Sequence, residues 1–186
     1  LDYLQKRNTE ATARKSKRLL GRLKFQTDSF NYEPYRVQPL HTDVSFEVDK
    51  VMISIKQATL CNISLRGLLK IHEQTLEIYL VPTATEQDLS PTVSCLMKEN
   101  KLVTGTYNFN SELLSKSKPD VFRRSLSGRL DFSAEKGRIY RIGLLAKILA
   151  ILNVTEIYRG ELPDLTGEGF AYNSMRASAD LKGGKL

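Results

Sequence analysis

Two histidines and two cysteines are the residues of this chain best suited to ligate a metal or act as a nucleophile. His41 and His72 each sit in a strand-like stretch with no acidic or cysteine neighbour at ligand spacing. They read as ordinary polar residues, and no metal is expected. Cys61 ends the run ATLC and Cys95 lies in TVSCLM, a separation of 34 that excludes a CxxC redox or zinc motif. Two buried free thiols fit a reducing compartment and a disulfide fits an oxidising one, so the residues alone leave both open. No P-loop, dinucleotide fingerprint, nucleophile elbow or HExxH motif occurs. The GEGF run at Gly167 to Phe170 is similar to a Gly-rich phosphate loop but lacks the following Lys-Ser/Thr and reads as a turn. Carboxylates are scattered and form no acid/base pair. The expectation is a non-enzymatic protein with no catalytic residues and no cofactor.

The elements that would position any site are mostly strands. VSFEV alternates strictly and places Val44, Phe46 and Val48 on one face, and VMISI does the same for Val51, Ile53 and Ile55. Asp49 and Lys50 between them predict a tight hairpin. TLEIYLV sets Leu76, Ile78 and Leu80 on one side and Glu77 and Tyr79 on the other. Period-two patterning of this kind predicts an antiparallel sheet with one apolar face. Four runs, at Gly21, Gly67, Gly105 and Gly128, share a glycine followed by alternating residues. They read as strand entries where a turn or bulge calls for glycine.

Helices are fewer. A helix is predicted within Ala84 to Met97, where Asp88 and Ser90-Pro91 mark a start, and another over Asp120 to Ser127 after Pro119. A third is expected over Ile142 to Asn153, apolar on nearly every side and so buried from several directions. The segment Ile142 to Val154 has thirteen residues and includes Lys147, whereas a spanning helix needs about 20. The N-terminus has no apolar signal region. Starting at Leu1 and stopping inside a strand–turn–strand pattern, the chain reads as a piece of a longer polypeptide.

Charge divides the chain. Residues 1–24 hold eight basic side chains against two acidic ones, a net of +6 out of +7 for the whole. This basic arm reads as a solvated helical linker, with nucleic acid or anionic headgroups as the alternative partners. Tyr3 is its one aromatic residue, so the stacking platform of a single-strand binder is missing and no nucleic-acid partner is expected. Residues 25–186 are long and apolar enough to bury one sizeable core as one domain. Asn62-Ile-Ser64 and Asn153-Val-Thr155 are formal glycosylation sequons.

One stretch carries a resemblance. A Leu-Ser-Gly strand start at Leu126 to Gly128 is followed by LLAKILAILNV, by PDL at Pro163 to Leu165, and by GEGFAYNSM running into DLKGGKL. In order and spacing, these resemble the C-terminal region of the AsmA-like family of bacterial envelope proteins. The likeness is close over the last third of the chain and looser over most of the rest. It implies a β-rich α+β fold, a curved antiparallel sheet forming a half-barrel or groove with about three short flanking helices. It implies a periplasmic location in a parent anchored to the inner membrane by parts absent here. There the even cysteine pair is expected as a Cys61–Cys95 disulfide.

The implied function is phospholipid handling or transport in outer-membrane biogenesis, with acyl chains on the apolar sheet face. The candidate lining is Val44, Phe46, Val48, Val51, Ile53, Ile55, Leu76, Ile78 and Leu80. Leu145, Ile148, Leu149 and Leu152 of the third helix are the candidate plug. Read without the resemblance, the same strands form a closed core against the helices. That leaves a structural or interaction domain of a large envelope protein as the alternative.

Overall fold

A computed structural model of the chain describes residues 20–100, 102–141 and 169–185. Nine strands form one antiparallel sheet: β1 (Gly21–Thr27), β2 (Phe30–Tyr32), β3 (Tyr35–Phe46), β4 (Lys50–Leu60), β5 (Ile63–His72), β6 (Thr75–Asp88), β7 (Thr106–Ser117), β8 (Ser127–Ile139) and β9 (Phe170–Leu181). The order is β1-β3-β4-β5-β6-β7-β8-β9, with β2 also on β3, and the sheet does not close. From β3 to β9 consecutive strands are neighbours, a meander, and from β3 to β6 the connections are the short turns that favour this topology. β1 takes in Gly21 to Lys24, so the sheet begins inside the stretch expected as an arm.

Two short helices accompany the sheet among the described residues, against the three expected. The helix placed at Ile142 to Asn153, with Leu145, Ile148, Leu149 and Leu152, lies outside the described residues. Helix α1 (Leu89–Met97) follows β6 directly. It begins later than the span Ala84 to Met97 because β6 pairs with β7 as far as Asp88. Asp88 then caps it: its Oδ1 accepts from Ser90 N at 3.0 Å, satisfying an amide the helix cannot. Helix α2 (Phe122–Ser125) is one turn, preceded by a 3-10 turn at Pro119–Val121.

The β3–β4 hairpin centres on Val48 and Asp49, with Glu47 N donating to Lys50 O at 2.9 Å. The shift by one residue removes Val48 from the apolar set, because it caps the turn and is 57% exposed. Gly67 is no strand entry either. It lies inside β5, paired with both Ile55 and Leu80, where an added Cβ would stand 2.1 Å from the Tyr79 carbonyl oxygen. Gly137 serves a similar close approach in β8, since a Cβ there would come within 2.0 Å of Thr104 O.

The core is at one end. Ala84, Leu89, Leu102, Val103, Tyr107, Ala134, Ile139 and Tyr172 form it, where α1 and the segment after it turn back over β6 to β9. The Tyr107 hydroxyl donates to Thr92 Oγ1 at 3.1 Å, and the Tyr172 hydroxyl donates to Thr104 O at 2.6 Å. Burial raises both phenol pKa values above the ordinary tyrosine range, and in Tyr107 the Thr92 contact opposes that shift.

Candidate functional site

Directly opposed residues of an antiparallel pair share a face, so the registers assign every strand residue to one side. Three rows cross six strands. The first joins Leu23, Val44, Ile53, Leu69, Ile78 and Ser115; the second joins Gly21, Phe46, Val51, Ile71, Leu76 and Ser117. The third runs Phe25, Thr42, Ile55, Gly67, Leu80 and Leu113. Eight of the nine sequence-derived lining residues thus share one face, and Val48 stands apart in its turn.

The same face holds residues that the alternation did not single out. Leu69 and Ile71 were hidden because Leu68 and Leu69 are both apolar, which blurs the period of two. Leu23 and Phe25 lie in the basic stretch, where charge masked the pattern. A bulge between Ile55 and Ala58 turns Lys56 and Gln57 both outward and returns Ala58 to the apolar side.

Cover on this face is uneven. Along β7, Tyr107, Phe109, Ser111, Leu113 and Ser115 alternate cleanly with exposed neighbours. Tyr107 is 2% exposed, beneath α1. Ser115 lies beneath α2, its Oγ donating to Phe122 O at 3.3 Å and 2.6 Å from Ser125 Oγ. Both helices therefore sit on the apolar side at opposite ends of the β6–β9 half.

In β1 to β5 the strands bury only Thr42 and Ala58. Lys50 to Ile55 are half-buried on both faces alike, which is the shielding that neighbouring strands provide without a second layer. Leu23 (52% exposed), Phe25 (40%) and Ile71 (38%) are open on the apolar side. Among the described residues no helix or sheet lies over this area away from the end that α1 crosses.

The α1 end is held shut. Nine residues of helix extend about 13.5 Å, close to the roughly 14.4 Å of three inter-strand spacings. The helix starts at the end of β6, and its far end reaches the β2–β3 turn, where Lys98 Nζ donates to Pro34 O at 2.8 Å and lies 4.5 Å from the Tyr35 ring centre. Between those points Cys95 is disulfide-bonded to Cys61 in the β4–β5 turn, with Cα atoms 5.5 Å apart. One hydroxyl on the apolar face, Ser111 Oγ, is buried with no hydrogen-bond partner.

The opposite face is mixed: Leu68, Tyr79 and Leu114 form an exposed apolar row across β5 to β7, and toward the α1 end it is polar. A depression of about 570 Å³ over β6 to β9 is lined there by the cross-strand row Thr83, Asn110, Asp131 and Ser178 and by Asn108, Ser133 and Arg176. Ser178 Oγ donates to Asp131 at 2.6 Å and, with Arg129, holds that carboxyl below its usual range. These are the side chains of a solvated sheet face. The volume records its shape and has no buried polar group to recognise a ligand.

His41 pairs across the sheet with Gln26 and Gln57. His72 Nε2 lies 3.1 Å from Asp49 Oδ2 at the surface. No cluster of three or more metal-ligating side chains occurs among the described residues, and none of their helices is long and apolar enough to cross a membrane. No family model, curated protein or solved structure matches the chain.

Proposed function

We propose that this chain is a non-enzymatic domain of an AsmA-like envelope protein that holds phospholipid acyl chains on the apolar face of β1 to β6. One observation carries the reading. Away from the end that α1 crosses, the strands with the strongest apolar alternation, β3 and β4, have no helix or second sheet over that face among the described residues. Apolar surface left in water costs about 25 cal/mol per Å², so a face this long calls for an occupant.

The dimensions suit a lipid. Six strands from β1 to β7 span five spacings of about 4.8 Å, or roughly 24 Å, and one leaflet of a bilayer's hydrocarbon core is about 15 Å thick. Each CH₂ group moved from water onto the face contributes about 0.8 kcal/mol. Register shifts in β3, β4 and β6 support curvature into a half-barrel, because bulges bend and coil the strands that carry them. The Cys61–Cys95 bond suits a periplasmic location, in a parent anchored to the inner membrane and serving outer-membrane biogenesis.

Native mass spectrometry of the chain, produced in the periplasm without detergent, tests this. Stoichiometric phospholipid is expected, lost in Phe46→Asp/Ile53→Asp with sheet content retained by circular dichroism. A wild-type protein carrying no lipid would sink the reading. It would leave a ligand-free structural or interaction domain, which the filled core beneath α1 favours.

A further inference from the structure

The sheet end opposite α1 has a lopsided charge distribution that the lipid-facing surface does not use. On its β3–β6 side, charges offset one another: Glu47 pairs with Lys50 at 3.0 Å and Asp49 with His72 at 3.1 Å. On its β7–β9 side they do not. Arg123 and Arg124 occupy the last turn of α2, and Lys118 precedes it. The turn after β9 is then pinned against that helix.

Gly184 N donates to Leu126 O at 2.8 Å, and a Cβ on Gly184 would stand 2.2 Å from Arg123 O. Lys182 and Lys185 close the same turn through paired backbone hydrogen bonds of 2.8 and 3.1 Å. Five exposed cations are thereby gathered with Asp120 as the one acid in α2 and its approach. None of the five has an ion-pair partner among the described residues. Residues 25–186 carry a net of only +1, so the gathering does not reflect a generally basic domain. Val121, in the 3-10 turn that leads into α2, is 39% exposed.

We propose that this end of the sheet docks onto an anionic lipid bilayer, with the five cations over the headgroups and Val121 entering the interface. The chemistry selects this occupant. Lysine and arginine near an anionic leaflet are each worth about fivefold in affinity, and an apolar side chain among them adds partition into the interface. No exposed aromatic side chain stands among the five cations to stack bases, as a single-stranded nucleic acid would need. Docking here would also bring Phe46, Val51 and Ile71, at the same sheet end, to the bilayer. That consequence rests on the lipid-holding reading; the docking itself does not.

The test is co-sedimentation of the full chain with vesicles of phosphatidylcholine alone and of an equal mixture with phosphatidylglycerol. Binding is expected only to the mixture and should weaken as salt rises. Arg123→Gln/Arg124→Gln/Lys182→Gln/Lys185→Gln should lose affinity by a factor on the order of several hundred, with the disulfide and circular dichroism unchanged. Val121→Ser should lose a smaller factor. Failure of the wild type to bind the mixture would overturn the proposal. So would a quadruple variant that binds as the wild type does, or binding that is lost instead in Lys6→Gln/Arg7→Gln/Arg14→Gln/Lys15→Gln. Ile55→Ser/Leu80→Ser, two rows back from the docking end and uncharged, should release bound phospholipid yet dock normally, which separates this proposal from the previous one.

Discussion

Strands β4 and β7 both alternate, yet they hold their side chains at different depths. In β7 every second residue is covered, by α1 at one end and α2 at the other, and its neighbours are exposed. In β4 the residues from Lys50 to Ile55 are half-buried on both faces. The covered strand is the more polar of the two on its inward side, carrying Ser111, Ser115 and Ser117, whereas β4 presents Val51, Ile53 and Ile55. The core has formed where Tyr107, Phe109 and Phe132 meet α1 and the segment after it, while the aliphatic rows of β3 and β4 have been left open.

If stability is concentrated under α1, truncations in the two halves should differ widely. Tyr107→Ala removes a nearly inaccessible ring and its hydrogen bond to Thr92 and should cost about 3–5 kcal/mol in urea denaturation. Phe46→Ala, on the open face, should cost about 1 kcal/mol or less in delipidated protein. Equal losses would remove the distinction between the halves. Next in size is the cross-link that ties α1 to the β4–β5 turn. Cys61→Ser/Cys95→Ser opens a loop of 34 residues and should lower stability by about 3–4 kcal/mol, read as a drop in Tm. A smaller effect is expected at the helix start, where Asp88→Ala removes the cap on Ser90 N and should cost about 1 kcal/mol.

The smallest is electrostatic. Lys116, above all, and then Lys70 hold the Glu77 carboxyl below its ordinary range. A lowered folded pKa stabilises above the unfolded value, about 4.3, and that contribution is lost as pH falls through the folded one. Lys116→Gln should therefore lower stability slightly at neutral pH, leave it unchanged below the folded pKa, and so flatten the acid limb of the profile.

Much of the open half was legible in the sequence. Strict alternation in VSFEV, VMISI and TLEIYLV assigns eight residues to a common face because a period of two admits no other surface. Val48 escaped because a two-residue turn takes its centre from backbone pairing, and Glu47 with Lys50 closes it one position earlier than Asp49-Lys50 suggested. The start of α1 was marked by Asp88, but pairing of β6 with β7 decided how much of Ala84 to Asp88 remained strand.

Cover was the part that could not be read. Alternation reports which face is apolar, whereas burial depends on where α1 and α2 come to rest, and α1 reaches turns 34 and 64 residues earlier in the chain. The pinning of the Lys182–Lys185 turn to α2 is likewise a long-range contact with no local signal. Net charge by segment placed the basic character in residues 1–24 and gave no sign of five cations gathered at the α2 end.

The central claim is that the apolar face of β3 and β4 contacts lipid rather than protein. Benzoylphenylalanine placed singly at Val44 or Ile53, with Ser45 and Ser54 as neighbours on the opposite face, reads this directly after irradiation in living cells. The account predicts phospholipid adducts from Val44 and Ile53 and none from Ser45 or Ser54. Adducts from all four alike, or cross-links from Val44 and Ile53 to another stretch of this same chain, would contradict it.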